Sequence, residues 1–232
     1  MIIEPNAARF DAPQGFIVVE GLNGAGKSTL IADFAALIRP KYPGLVLTLE
    51  PGGTLLGKKL RQILLEDTAL NLKGLTEAFL FAADRSDHAL QLIRPALAKF
   101  NPVISDRYFY SSIAFQGYGR GLDPEMIEQV NLLAVQQLLP DLVFLIDIDP
   151  AQGLARTQHR STTGTPGADK FEDEKLDFHQ RIRDGFLQIA GKRPEQFVIL
   201  DGSKSAGEVA AAARPALISW LDALEKRPHA RH

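Results

Sequence analysis

Gly21-Leu22-Asn23-Gly24-Ala25-Gly26-Lys27-Ser28 fits the spacing G-x-x-x-x-G-K-[ST] without a mismatch. Each residue type has a physical use. Glycines admit positive φ and bring successive backbone N–H groups close to polyphosphate oxygens. Lys27 adds a point charge for the outer phosphates, and the Ser28 hydroxyl is a hard oxygen ligand suited to Mg²⁺. Thr29 continues the helix whose positive end faces the same anion. A turn that merely links strand to helix would explain the glycines but not a Lys-Ser pair at the helix start. The stretch Gly21, Asn23, Gly24, Ala25, Gly26, Lys27, Ser28 and Thr29 is therefore expected to bind a nucleotide.

A second constellation is Pro102-Val103-Ile104-Ser105-Asp106-Arg107-Tyr108, a short apolar run that ends in Asp-Arg. In open α/β sheets the ligand crevice lies at such carboxyl ends. Asp106 there can orient Mg²⁺ through water, and Arg107 offers a planar fork for an acceptor phosphate. A structural Asp106–Arg107 ion pair is the competing expectation. Asp147 and Asp149, at the end of Leu-Val-Phe-Leu-Ile-Asp-Ile-Asp, are alternative metal acids or simply caps beside Pro150, and Asp106 is preferred. No N-K-x-D-like guanine reader follows, which disfavours a GTP switch.

These residues need a frame. Apolar runs predict strands over 15–20, 45–49, 102–105, 142–147 and 197–201. Helical periodicity covers 28–38 and 76–98, with Pro95 bending or breaking the end of the second. Asp123-Pro124-Glu125 opens a helix expected to run to about 139, where Pro140 closes it, and an alanine-rich helix runs to about 225. Strands separated by helices demand parallel pairing and right-handed crossovers. Ser-Thr-Thr-Gly-Thr-Pro-Gly-Ala-Asp at 161–169 predicts a mobile loop, while 1–14 and 226–232 read as an extension and a tail around one domain, 15–225.

Composition narrows the function classes. The 232 residues carry 26 Lys plus Arg against 28 Asp plus Glu, a net of −2, so bulk charge favours neither nucleic acid nor an anionic membrane as partner. The absence of cysteine excludes a disulfide framework, a thiol nucleophile and thiolate zinc sites. Apolar runs are far shorter than the ~20 residues of a membrane helix, and Glu4, Asn6 and Asp11 interrupt any signal-like pattern. A cytoplasmic protein is the expectation.

Further motifs stand in order along the chain: Thr48-Leu49-Glu50-Pro51-Gly52-Gly53-Thr54, Leu80-Phe81-Ala82-Ala83-Asp84-Arg85, Asp106-Arg107-Tyr108 and Ser111-Ser112-Ile113-Ala114-Phe115-Gln116-Gly117. Pro140-Asp141-Leu142 and Asp169-Lys170-Phe171-Glu172 follow them. With the phosphate loop, this set resembles the bacterial thymidylate kinases over nearly the whole chain. The resemblance implies an α/β fold of the P-loop NTPase type, a parallel five-stranded sheet flanked by helices. It also implies a lid at about 156–172, a homodimer, and transfer of the γ-phosphoryl of ATP to dTMP with Mg²⁺. Phe81 would stack on thymine and Arg85 bond its edge; four positions apart, they share a helical face. Ser112 and Gln116 match base-contacting positions, and Phe115 would wall off a ribose 2′-hydroxyl. Glu50 and Pro51 would flank the acceptor phosphate, and Arg160 or Arg156 would neutralise the transferring group. Gly119-Arg120-Gly121 is family-like too, though it also reads as a plain turn.

Three positions depart from the family pattern. Asn23 stands where a carboxylate is usual, Leu49 where an arginine usually precedes Glu-Pro-Gly-Gly, and Lys170 replaces an arginine of the lid. Lysine keeps the charge but loses the bidentate fork. The expectation is altered affinity or relaxed sugar specificity; a kinase for another pyrimidine monophosphate (dUMP or a modified base) and an impaired nucleotide-binding homologue are the rivals.

Overall fold

The computed structural model describes residues 13–67, 69–162 and 170–227, without the side chains of 160–162. Five strands, β1 (Phe16–Gly21), β2 (Val46–Leu49), β3 (Val103–Asp106), β4 (Leu142–Asp147) and β5 (Phe197–Asp201), form one parallel sheet in the order β2-β3-β1-β4-β5. The unbroken apolar runs of β1 and β4 fit strands covered on both faces, and β1 is buried along its whole length. The edge strand β2 instead alternates half-buried with exposed residues. Asp141 fixes where β1 begins: its carboxylate accepts from the backbone N–H groups of Gln14, Gly15 and Phe16 and from Trp220 Nε1.

From β1 the chain passes through α1 (Lys27–Ile38) to one side of the sheet, then returns through β3 and crosses to β4 on the other side. That reversal opens a crevice at the carboxyl ends of β1, β3 and β4. The other α-helices of the described residues are α2 (Leu55–Arg61), α3 (Gly74–His88), α4 (Arg94–Ala98), α5 (Phe109–Ser112), α6 (Pro124–Ala134), α7 (Pro150–Thr162), α8 (Leu176–Lys192) and α9 (Ala206–Glu225), of which α2, α3, α5, α7 and α9 reach the crevice.

Two helical expectations need correction. Pro95 does not break the helix, which runs to Ala98 as expected: α3 passes through a widened π-type turn, Ala89–Ile93, directly into α4, with Pro95 in the first turn of α4. An imide nitrogen that cannot donate is tolerated at such a start, and the wider turn relieves its clash with the preceding carbonyls. α6 ends at Ala134, not near 139, because Gln136 and Gln137 take positive φ of 49° and 60°. Arg94 Nη2 holds that reversal by donating to the carbonyls of Val135 and Gln136. α7 reaches Thr162, so 161 and 162 of the expected loop are helical, and 163–169 lie outside the described residues. So do 1–12 and 228–232, which hold most of the expected extension and tail.

Candidate active site

The crevice is a cleft of about 870 Å³ running from the phosphate loop to the α3–α5 helices. At one end the loop turns sharply. Gly24 and Gly26 take φ of 76° and 103°, and a Cβ on Gly24 would come within 2.2 Å of the Gly153 carbonyl oxygen. α1 then starts with no side-chain cap and no acid in its first turn, so its N-terminal N–H groups and positive end face the cleft. Lys27 Nζ bends back over the loop, donating to the Gly21 and Leu22 carbonyls and lying 4.0 Å from Asp106 Oδ1. Ser28 and Thr29 line the cleft with Asn23, Ala25 and Gly26.

Asp106 and Arg107 close the end of β3 and do not pair with each other. Asp106 Oδ1 is buried without a hydrogen-bond partner, a carboxylate oxygen left over for a cation beside Lys27 and the open Ser28 hydroxyl. This donor set, a carboxylate and a hydroxyl, suits Mg²⁺. Asp147 and Asp149 are spent elsewhere: Asp147 takes both nitrogens of the Arg183 fork at 2.6 and 2.8 Å, and Asp149 caps α7.

Arg107 sits at φ 72°, a conformation uncommon for a residue with a Cβ and one that must be held by its surroundings. The conformation is held from both sides, since Arg107 N donates to the Val19 carbonyl and Ser105 Oγ donates to the Arg107 carbonyl. The guanidinium is thereby aimed across the cleft, donating to Gly21 O, Ser111 Oγ and Asn23 Oδ1 and lying 5.2 Å over the Phe115 ring. Below it lies Glu20, fully buried, which accepts from Tyr108 N, Ser111 N and Ser111 Oγ. Burial drives its carboxyl up from 4.5 to about 7, against the pull of Arg107.

At the far end Phe81 and Arg85 both face the cleft from α3. The ring of Phe81 lies 6.4 Å from that of Phe171, which in turn is 5.3 Å from Phe115. Arg85 is 1 % exposed and is anchored by Glu50 Oε2 at 2.7 Å, by Ser112 Oγ at 3.0 Å, by Asn131 Oδ1 and by the Tyr108 carbonyl. Four of its five N–H donors are thus occupied, leaving one on Nη2 for the cleft. Glu50 carries Arg85 on one oxygen and His88 Nδ1, at 2.8 Å, on the other, while His88 Nε2 meets Thr48 Oγ1 at 2.7 Å. Asp84 beside them accepts from Gly52 N; burial first, then the charge of Glu50, raises its carboxyl to about 6. Gln116 lines the same cavity with Nε2 buried and without a hydrogen-bond partner. A flat aromatic face, a free guanidinium N–H and an unpaired amide donor are what a planar, carbonyl-edged base requires.

The structure gathers Gly24, Lys27, Ser28, Glu50, Pro51, Phe81, Arg85, Asp106, Arg107, Ser112, Phe115, Gln116 and Arg156 around one cavity. Arg156 Nη1 donates to the Gly202 carbonyl at 3.1 Å, while the side chain of Arg160 and residue Asp169 lie outside the described residues. Arg120 sits in the turn expected at 119–121, with Gly121 at φ 74°, and its side chain is also a clamp. It bonds Glu77 and Glu174 and lies over the rings of Phe171 and Phe178. Lys170 joins it on Glu77 at 2.9 Å. Residues that motif spacing missed also line the cavity. Arg61, whose Nη1 donates to the Pro51 carbonyl, sits in an ordinary amphipathic stretch that gives no signal. Lys204 and Ser205 had one: they follow β5 at the carboxyl edge of the sheet.

Comparison with known proteins agrees with this geometry. A family model described as thymidylate kinase matches residues 19–213. The chain is 46 % identical over 204 residues to a thymidylate kinase of Oleidesulfovibrio alaskensis, covering 87 % of this chain and 96 % of that one. A thymidylate kinase of Solidesulfovibrio magneticus is 42 % identical over 199 residues, 85 % of this chain and 95 % of the other. The crystal structure of thymidylate kinase from Ehrlichia chaffeensis superposes with a TM-score of 0.72 at 32 % identity, over 89 % of this chain and 100 % of that chain. Fold, cleft and comparisons converge: this chain belongs to the thymidylate kinase family.

Proposed function

We propose that the chain phosphorylates dTMP to dTDP with ATP as donor. The observation that carries this reading is one continuous cleft, with a polyphosphate cradle at one end and Phe81, Arg85 and the unpaired Gln116 amide at the other. Arg107 stands between them.

In the reaction an oxygen of the acceptor 5′-phosphate forms a bond to the γ-phosphorus, and the bond to the β-phosphate oxygen breaks, with ADP leaving. The acceptor is already anionic, so no general base is needed, and catalysis is mainly positioning and charge stabilisation. The loop N–H groups and Lys27 hold the donor phosphates, and Arg107 orients the acceptor phosphate. Phe81, Arg85, Ser112 and Gln116 seat the base, while Glu50 and Pro51 shape the acceptor side and Phe115 walls the sugar. Arg156 or Arg160 neutralises charge on the transferring group. Ser28 and Asp106 would hold Mg²⁺, which screens the phosphate charge when bound. Leu49, 41 % exposed, lines the acceptor side with an apolar surface, which supports a changed tolerance toward acceptor sugars.

We place the protein in the cytoplasm; among the described residues no helix is long and apolar enough to cross a membrane. A homodimer is supported by α3, whose apolar stripe runs past the buried Ala78 and Ala82 to Leu75 and Phe79, which are exposed one turn apart. Lys27→Ala is expected to lower kcat by ~10²-fold, the scale for removing one preorganised electrostatic group, in steady-state assays with dTMP and ATP. Near-normal turnover in that variant would reject the assignment of the loop.

A further inference from the structure

Asn23 occupies an unusual electrostatic position. Its Oδ1 accepts from Arg107 Nη2 at 2.6 Å, and its Nδ2 donates to Glu172 Oε1 at 3.3 Å. Arg107 offers only donors and an ionised Glu172 only acceptors, so the amide orientation is fixed by its neighbours. A short neutral amide satisfies both; a carboxylate at 23 would satisfy Arg107 but confront Glu172 with a like charge.

Glu172 belongs to the short 3₁₀ turn Lys170–Asp173, which carries Phe171 into the cleft beside Phe81 and Phe115. The same turn is held from below by Lys170 on Glu77. Its upper attachment to the phosphate loop is the Asn23–Glu172 bond.

We infer that Asn23 is a positioning residue that ties the phosphate loop and Arg107 to the Lys170–Asp173 turn, fixing Phe171 as the outer wall of the acceptor pocket. The inference rests on the reading of that pocket as the dTMP site. It gives the neutral residue at 23 a reason: the amide replaces a repulsive pair with a hydrogen-bonded bridge. Donor binding at the loop and acceptor binding against Phe171 are then linked through one side chain.

The test is a charge-swap cycle of Asn23→Asp, Glu172→Gln and the double variant, with Glu172→Ala removing the bridge without adding charge. Asn23→Asp and Glu172→Ala are each expected to raise KM for dTMP by about tenfold, the scale of one lost hydrogen bond to a charged group, with a smaller effect on kcat. The double variant turns the bridge around, since the new carboxylate at 23 would accept from both Arg107 and the new amide at 172. It is expected to return KM to within about twofold of the parent. A merely structural bridge would move and restore the unfolding midpoint without that selective rise and return of KM for dTMP. An Asn23→Asp enzyme with unchanged KM, or a double variant no better than Asn23→Asp, would overturn the inference. If the parent chain turns over no dTMP, the kinase reading fails by itself. The bridge is then judged by the same cycle in thermal unfolding midpoints, where the double variant must recover what Asn23→Asp loses and failure to recover overturns it.

Discussion

His88 shows how much of the site depends on a residue that no ligand need touch. It is fully buried between Thr48 and Glu50, and Glu50 in turn carries Arg85. Replacing it by phenylalanine leaves one Glu50 oxygen without its partner in a buried setting, where a missing hydrogen bond to a charged group is felt in full. We expect His88→Phe to raise KM for dTMP by about tenfold while leaving KM for ATP unchanged, read from two-substrate kinetics. Equal effects on both substrates would show that His88 supports the sheet and not the acceptor pocket. Their motifs singled out Glu50 and Arg85, and both line the cleft, but their mutual ion pair was not legible. Residues 50 and 85 come together only through the crossover that lays α3 beside the end of β2. The positive φ of Arg107 was equally hidden, because nothing in Ser-Asp-Arg-Tyr marks a left-handed residue.

Elements are held to the site by a few charged contacts between helices. Glu77, on α3 and 1 % exposed, takes both Arg120 and Lys170. Glu77→Ala leaves two cations facing a buried gap and is expected to cost about 3 kcal/mol in urea unfolding, the lower end for a broken buried pair because Arg120 keeps Glu174. A change below about 1 kcal/mol would place Glu77 among surface pairs of little worth. α9 offers a milder case. Ser205 and Glu208 form a reciprocal capping box at its start, so Ser205→Ala should lose about 1 kcal/mol. Parallel pairing followed from the alternation of apolar and helical runs, and β4 and β5 were legible to the residue, whereas the order β2-β3-β1-β4-β5 was not. The two misplaced helix features had no local signal. The π-type turn before Pro95 and the left-handed Gln136 and Gln137 are settled by packing and by Arg94, which is distant in sequence.

At the scale of the molecule, two buried acids set the response to pH. Glu20 titrates at about 7 against an ordinary 4.5, and Asp84 at about 6 against 3.8, both raised chiefly by burial. Between those values the native state keeps a proton that the unfolded chain has released. Their contribution to stability is therefore full below the ordinary values and is lost as pH rises through the folded ones. Glu20→Gln should flatten the fall of unfolding free energy between about pH 4.5 and 7, and an unchanged slope would mean that Glu20 ionises normally. Phe79, 54 % exposed on the outer face of α3, bears on the proposed homodimer. Phe79→Glu should yield a monomer by light scattering, and an unaltered mass would move the interface elsewhere. The central claim is the acceptor. With ATP and Mg²⁺ present, ADP release should be compared for dTMP, dUMP, UMP, dCMP, AMP and GMP. The cleft predicts that dTMP has the highest kcat/KM. A better acceptor among the others, or no turnover of dTMP by protein shown to bind ATP, would contradict it.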